Sequence, residues 1–160
     1  MESFVKRMLA LHSRDASYPV ALILCGVDRL KTINDRYGHL AGDAALRRIG
    51  ALIRRQIRSS DTGIRFGGDE FAIFVQGRSA LNAPLLAERV RNAVAHLRLP
   101  GRARARRVTL SCGVVRHRPG ESFERFLARA DRLLYRAKRR GRDRVEADSA
   151  AGKMRRRVRV

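Results

Sequence analysis

Two apolar runs, Ile64–Phe66 and Phe71–Val75, flank the tetrad Gly67-Gly68-Asp69-Glu70, and no other stretch constrains the fold of this chain as tightly. Glycines between short hydrophobic runs predict a β-hairpin, because glycine accepts the positive φ angles of tight turns. The reading therefore places a four-residue turn at 67–70. A turn does not need two adjacent carboxylates at its tip, and Asn or Ser would serve it as well. Asp69 and Glu70 are accordingly candidates for a metal or phosphate site.

The chain of 160 residues is one domain's worth and can bury a single substantial core. Its formal net charge is +21, and residues 101–160 hold 20 of its 36 basic residues against 6 of its 15 acidic ones. That balance suits phosphate-rich partners: nucleotides, nucleic acid or an anionic membrane face. An arginine- and alanine-rich composition explains arginine over lysine but not the shortage of acids. Cys25 and Cys112 sit in apolar strand-like runs, as buried reduced thiols of a cytoplasmic protein would. No stretch approaches the roughly 20 apolar residues of a membrane span.

Taken in order, Phe4, Val5, Met8, Leu9 and His12 follow helical spacing and predict an opening helix. Val20–Val27 is a nearly continuous apolar run, expected of a central strand buried on both faces. A short helix follows at Leu30–Tyr37, capped by Gly38, and then a long amphipathic helix carrying Leu40, Leu46, Ile49, Ile53 and Ile57. Beyond the hairpin come a loop at Gly77–Pro84 and a helix at Leu85–Leu97 with Arg89 and Arg91 exposed. A strand at Val108–Val115 puts Val108, Leu110, Cys112 and Val114 on one face. The last helix runs from Phe123 to about Ala137 and stops before Gly141, and Val145 closes an edge strand. The fold class is α+β, a mostly antiparallel central sheet flanked by helices. One domain is expected over 1–147, with 148–160 a disordered basic tail.

Five motifs in order and spacing identify the chain as resembling the GGDEF family, the diguanylate cyclases of cyclic di-GMP signalling. They are Lys31-x-Ile33-Asn34-Asp35-x-Tyr37-Gly38-His39, Ala41-Gly42-Asp43, the hairpin Arg65–Phe71, Val108–Val114 with Gly113, and Arg129-Ala130-Asp131 running on to Tyr135, Lys138, Gly141 and Arg142. The resemblance covers about 20–145 and implies a palm-like sheet of the nucleotidyl cyclase type. It implies a reaction in which the 3′-hydroxyl of one GTP attacks the α-phosphate of another and displaces pyrophosphate. Mg2+ or Mn2+ and basic side chains meet the charge that builds on phosphate oxygens. Asp69 and the Val27 backbone carbonyl are the implied metal ligands, and Glu70 assists proton removal or metal binding. Asn34 and Asp43 face guanine, and Lys31, Lys138 and Arg142 hold phosphates. Bland alternatives stand beside each assignment: Asn34 as a turn cap, Asp43 as the N-cap of the long helix, Lys138 and Arg142 as charges near a helix C-terminus.

The chain departs from the family pattern in two places. The register set by Lys31 and Asn34 puts a metal-binding aspartate at position 26, where this chain has Gly26. Asp28 fits a second acidic position and need not point at the same metal. The chain also begins near the middle of the family's first helix, so the Asp-x-Leu-Thr segment that helps line the guanine pocket is expected to be absent. The product site is matched: Arg58-Ser59-Ser60-Asp61 lies at the family's spacing for the inhibitory Arg-x-x-Asp site, and Arg89 matches a further arginine there. An arginine fork contacts guanine O6 and N7, and an aspartate accepts from the same base; the alternative is a solvated Arg58–Asp61 pair at a helix end.

The expectation is a catalytically weak GGDEF domain that binds cyclic di-GMP or GTP and relays a signal to a protein partner. The alternative is an active cyclase, whose reaction implies a homodimer with two GTP-loaded domains face to face. A nucleic-acid or acidic-protein binder is a third and weaker reading, because no aromatic stacking surface accompanies the arginines.

Overall fold

The computed structural model describes residues 18–99 and 107–148. The expected opening helix, most of the arginine run before the second core strand, and the basic tail beyond Asp148 lie outside the described residues.

Strand β1 (Val20–Val27) is buried along its entire length. It lies at the centre of a five-stranded sheet because an eight-residue apolar run can satisfy both its backbone and its side chains only there. Helices α1 (Leu30–Tyr37) and α2 (His39–Gln56) follow, then β2 (Thr62–Arg65) and β3 (Glu70–Gln76), a 3-10 turn (Gly77–Asn82), α3 (Ala83–Ala95), β4 (Leu110–Arg116), α4 (Phe123–Arg139) and β5 (Val145–Ala147). The sheet order is β2-β3-β1-β4-β5. Every pairing is antiparallel except β4 with β5, so the α+β, mostly antiparallel architecture holds.

Alternation along β1 divides the core. Ala21, Ile23, Cys25 and Val27 face α2 and α3 and meet Ile49, Ile53, Val90 and Val94. Val20, Leu22 and Leu24 face α4 and meet Phe126, Ala130 and Leu134. Val108, Leu110, Cys112 and Val114 share the first of these cores, as their spacing predicts. Cys112 Sγ lies 3.4 Å from Cys25 Sγ, a buried pair of free thiols across adjacent strands.

Helix α4 approaches the sheet unusually closely. A Cβ at Gly113 would stand 2.2 Å from the Ala130 carbonyl oxygen and 2.5 Å from the Leu134 nitrogen, so only glycine fits there. Ser122 caps α4, its hydroxyl accepting from the Arg125 backbone N–H at 3.3 Å. The far end of the sheet is closed by charge: Arg129 pairs with Glu121 and Asp148, and Glu146 with Arg136 and Arg140. Some of the chain's few acidic groups are thus spent on arginines inside the fold.

Three local expectations change. The Gly77–Pro84 loop is a 3-10 turn, and α3 begins at Ala83, because Pro84 fits the first turn of a helix, where its missing N–H costs nothing. Arg91 is not exposed: it lies half-buried between Glu88, at 2.9 Å, and Asp143, at 2.5 Å. The hairpin glycines do not adopt left-handed φ angles. Phe66 N–H donates to the Glu70 carbonyl at 2.8 Å and Glu70 N–H to the Gly67 carbonyl at 3.4 Å, so the four-residue turn at 67–70 closes as expected without those angles. What the glycines supply is open space: a Cβ at Gly68 would meet nothing within 4 Å.

Candidate nucleotide site

The end of β1 and the hairpin tip are stitched together by backbone. Val27 N–H donates to the Asp69 carbonyl at 2.9 Å, and Gly26 is paired in register with Glu70 on one side and Ser111 on the other. Registered residues project to the same face, so Glu70 stands beside the place where a side chain at 26 would emerge. Both hairpin carboxylates are half-buried. Burial is the main cause that lifts the Glu70 carboxyl above its ordinary range; Lys138 opposes it, while Asp69 and Asp131 add to it. Asp131, whose charge reaches Glu70 from α4, was not singled out from the sequence as a site residue.

Position 26 is taken by another group. A Cβ there would lie 2.7 Å from Lys138 Cε and 2.8 Å from Lys138 Nζ, with Leu134 Cδ1 at 3.5 Å. The lysine of α4 passes over the bare α-carbon of Gly26. Asp28 does not compensate. Its carboxylate is buried and accepts from Thr109 Oγ1 at 2.8 Å, Ser111 Oγ at 2.7 Å and the Asp143 N–H at 3.1 Å, so it is spent on β4 and the turn after α4.

These contacts bear on the metal. Among the described residues no three Asp, Glu, His or Cys side chains converge as a metal cluster. Asp69, Glu70 and the Val27 carbonyl remain as donors, but an ammonium stands where the strand-end carboxylate would be. The residues present do not fit a divalent ion bridged between β1 and the hairpin.

The residues expected to face guanine, Asn34 and Asp43, sit on α1 and α2. Gly38 joins the two helices with φ 83°, its N–H bonded to the Asn34 carbonyl at 2.8 Å. Asn34 Oδ1 is buried without a hydrogen-bond partner among the described residues and rests on Gly42, where a Cβ would come within 1.8 Å of it. The spare amide oxygen is an acceptor awaiting a donor. Asp43 lies exposed in the second turn of α2, five residues in, so it is not that helix's N-cap. Lys31 is exposed in the first turn of α1, and Arg142 lies just beyond α4 in a left-handed conformation, φ 63°.

Arg58, Asp61 and Arg89 come together on one cleft. With Arg78, Ser79, Asn82, Leu85 and Leu86 they line an open cleft of ≈ 470 Å³. Asp61 and Arg58 are not a solvated ion pair. Asp61 is buried, and its carboxylate accepts from the Arg58 backbone N–H at 3.1 Å and the Gln76 N–H at 3.3 Å. The Arg58 guanidinium turns to Ser79 Oγ at 2.5 Å, and Arg89 donates to the Gln56 carbonyl at 2.6 Å. A carboxylate offers about four lone-pair sites, so Asp61 keeps acceptor capacity toward the cleft. Arg78 and Ser79 escaped the sequence reading. Their signal was weak, a polar pair in a loop directly after a core strand.

A palm-like antiparallel sheet with a Gly-Gly-Asp-Glu hairpin at the end of its central strand defines a nucleotidyl cyclase-type domain. The chain belongs to the GGDEF family: the family described as "Diguanylate cyclase, GGDEF domain" matches residues 1–144. It is 37% identical over 142 residues to diguanylate cyclase DgcP of Pseudomonas aeruginosa, covering 89% of this chain and 21% of that protein. It is 40% identical over 133 residues to diguanylate cyclase VdcA of Vibrio cholerae, covering 81% of this chain and 39% of the relative. The chain therefore spans well under half the length of these curated relatives. Among solved structures it superposes on the GGDEF domain of DgcB from Caulobacter crescentus in complex with c-di-GMP, with TM-score 0.84 and 30% identity over 91% of this chain and 86% of that one. Diguanylate cyclase SiaD of Pseudomonas aeruginosa, solved with its activator SiaC, superposes with TM-score 0.77 and 34% identity over 89% of this chain and 57% of that one. No helix among the described residues is long and apolar enough to cross a membrane.

Proposed function

We propose that this GGDEF domain acts as a guanine-nucleotide receptor in cyclic di-GMP signalling, binding cyclic di-GMP in the Arg58–Asp61–Arg89 cleft while its own cyclase turnover is weak. The convergence of these three residues on one open cleft carries the reading. Arg58 presents a guanidinium fork for guanine O6 and N7, Asp61 offers its remaining lone pairs to the N–H edge of the base, and Arg78 and Arg89 supply charge for the phosphates. The c-di-GMP complex of the similar DgcB domain supports the ligand. Weak turnover follows from Gly26, since losing a metal's supporting group typically costs about 10–100-fold in affinity or activity. A receptor of this kind passes its state to a protein partner in the cytoplasm, where its nucleotides are made.

Titration calorimetry with cyclic di-GMP is the direct test. Binding to the wild type, with at least about tenfold weaker binding in Arg58→Ala, is expected from the loss of one bidentate contact. Unchanged binding in that variant refutes the cleft.

The backbone bond from Val27 to Asp69 favours a second reading, an active diguanylate cyclase, because it holds the hairpin carboxylates at the strand end where such a reaction would need them. That reading requires two GTP-bound copies face to face and Mg2+ or Mn2+ as cofactor, with Lys31, Lys138 and Arg142 on phosphate and Asn34 and Asp43 on guanine. Product from GTP at high protein concentration would establish it, and none with either metal would remove it.

A further inference from the structure

We propose that Lys138 replaces the divalent ion in this domain, so that its nucleotide site holds a nucleoside triphosphate through fixed ammonium and guanidinium groups and without bound metal. The inference concerns the end of β1 and stands apart from the Arg58 cleft.

The lysine's placement depends on the glycine. Its Cε and Nζ lie 2.7 and 2.8 Å from the point where any side chain at position 26 would begin, so a carboxylate there and this lysine rotamer exclude each other. Leu134, one turn earlier on α4, is 2% exposed and packs 3.5 Å from the same point, which seats the helix that delivers the lysine. Glu70 is registered opposite Gly26 and feels the lysine's charge, so the ammonium borders the hairpin tip. Lys138 makes no hydrogen bond or close ion pair with any described residue, which leaves its three N–H donors to an incoming anion. The Arg142 backbone N–H bonds to the carbonyl of Ala137 at 3.0 Å, so a second cation leaves the same helix end.

A lysine carries half the charge of a magnesium ion and cannot draw two oxygens into one coordination sphere. Such a site neutralises phosphate but does little for the charge that builds during transfer. Binding without rapid turnover is the functional consequence.

Calorimetry with a non-hydrolysable GTP analogue, in Mg2+ and in EDTA, tests this. Wild-type affinity is expected to differ by less than about threefold between the two buffers. Lys138→Met should weaken binding in EDTA by about tenfold or more, and Lys138→Arg should keep most of it, because a retained cation still meets phosphate. Gly26→Asp should make binding depend on Mg2+ by about tenfold, the lower bound for one supporting group of a metal. Cyclic di-GMP binding by each variant reports separately on folding and on the cleft. Loss of wild-type analogue binding on chelation, no analogue binding in either buffer, or unchanged affinity of Lys138→Met in EDTA overturns the proposal.

Discussion

Substituting Asp61 by alanine should damage the scaffold before it damages recognition. The carboxylate is 8% exposed and holds two backbone N–H groups, Arg58 at 3.1 Å and Gln76 at 3.3 Å, joining the end of the α2–β2 connection to the last residue of β3. Hydrogen bonds to a charged acceptor are worth about 1.5–3 kcal/mol each, and the longer of the two belongs at the weak end or below, so the pair contributes about 2–4 kcal/mol. Alanine also leaves two donors without a partner. For a domain of this size a loss of 1 kcal/mol lowers Tm by about 2–4 °C, which puts Asp61→Ala roughly 4–16 °C below the wild type. Arg58→Ala removes an exposed guanidinium bonded to Ser79 and should stay within about 0.5 kcal/mol. Thermal melts and urea titrations of both variants, run beside cyclic di-GMP calorimetry, separate scaffold from ligand contact. Equal melting of Asp61→Ala and wild type would refute the argument, since it would mean that the two N–H groups are as well served by water.

Other perturbations have equally definite signs. Glu70→Gln should stabilise the domain at neutral pH: the folded carboxyl titrates above its ordinary 4.5, first through burial, so its ionised form costs stability above the folded pKa. That cost is relieved as pH falls through the folded value, so melts of wild type and variant should converge toward pH 4.5 and below. Gly113→Ala drives a Cβ into the backbone of Ala130 and Leu134, which no rotamer can relieve. A loss of about 3 kcal/mol or more is expected, read as a Tm lower by roughly 6–12 °C. Asp28→Ala strands the buried Ser111 hydroxyl and the Asp143 N–H and should cost about 3 kcal/mol in urea denaturation. Gly26→Ala, which displaces only the flexible end of Lys138, should cost less than about 1 kcal/mol in the same assay.

The central features were legible because their physics is local. An unbroken apolar run could only be a central strand, and Val108, Leu110, Cys112 and Val114 share a face because strand side chains alternate. Gly38 was readable as a helix end for the same reason. What escaped depended on atoms far apart in sequence. Arg91 reads as a solvated helix charge until Asp143, 52 residues later, is folded against it. Asp61 reads as a partner for Arg58, but the Gln76 N–H that claims half its carboxylate arrives from another strand. Gly26 was visible as a departure from the family pattern. That Lys138 lies across the gap needed α4 in place, since no pattern of spacing says where a long side chain comes to rest.

The unequal embedding of Gly26 and Asp28 has a consequence for how sequences of this kind drift. Asp28 is woven into β4 and the turn after α4 by three hydrogen bonds, whereas nothing in the scaffold leans on a side chain at 26. Position 26 can therefore change at little risk to folding, whereas replacement of Asp28 costs stability whatever the domain's chemistry. A motif letter held in place by folding is then weak evidence of chemistry. In a domain built this way, Asp28 testifies to the fold, and the glycine two residues before it is the more informative letter for function.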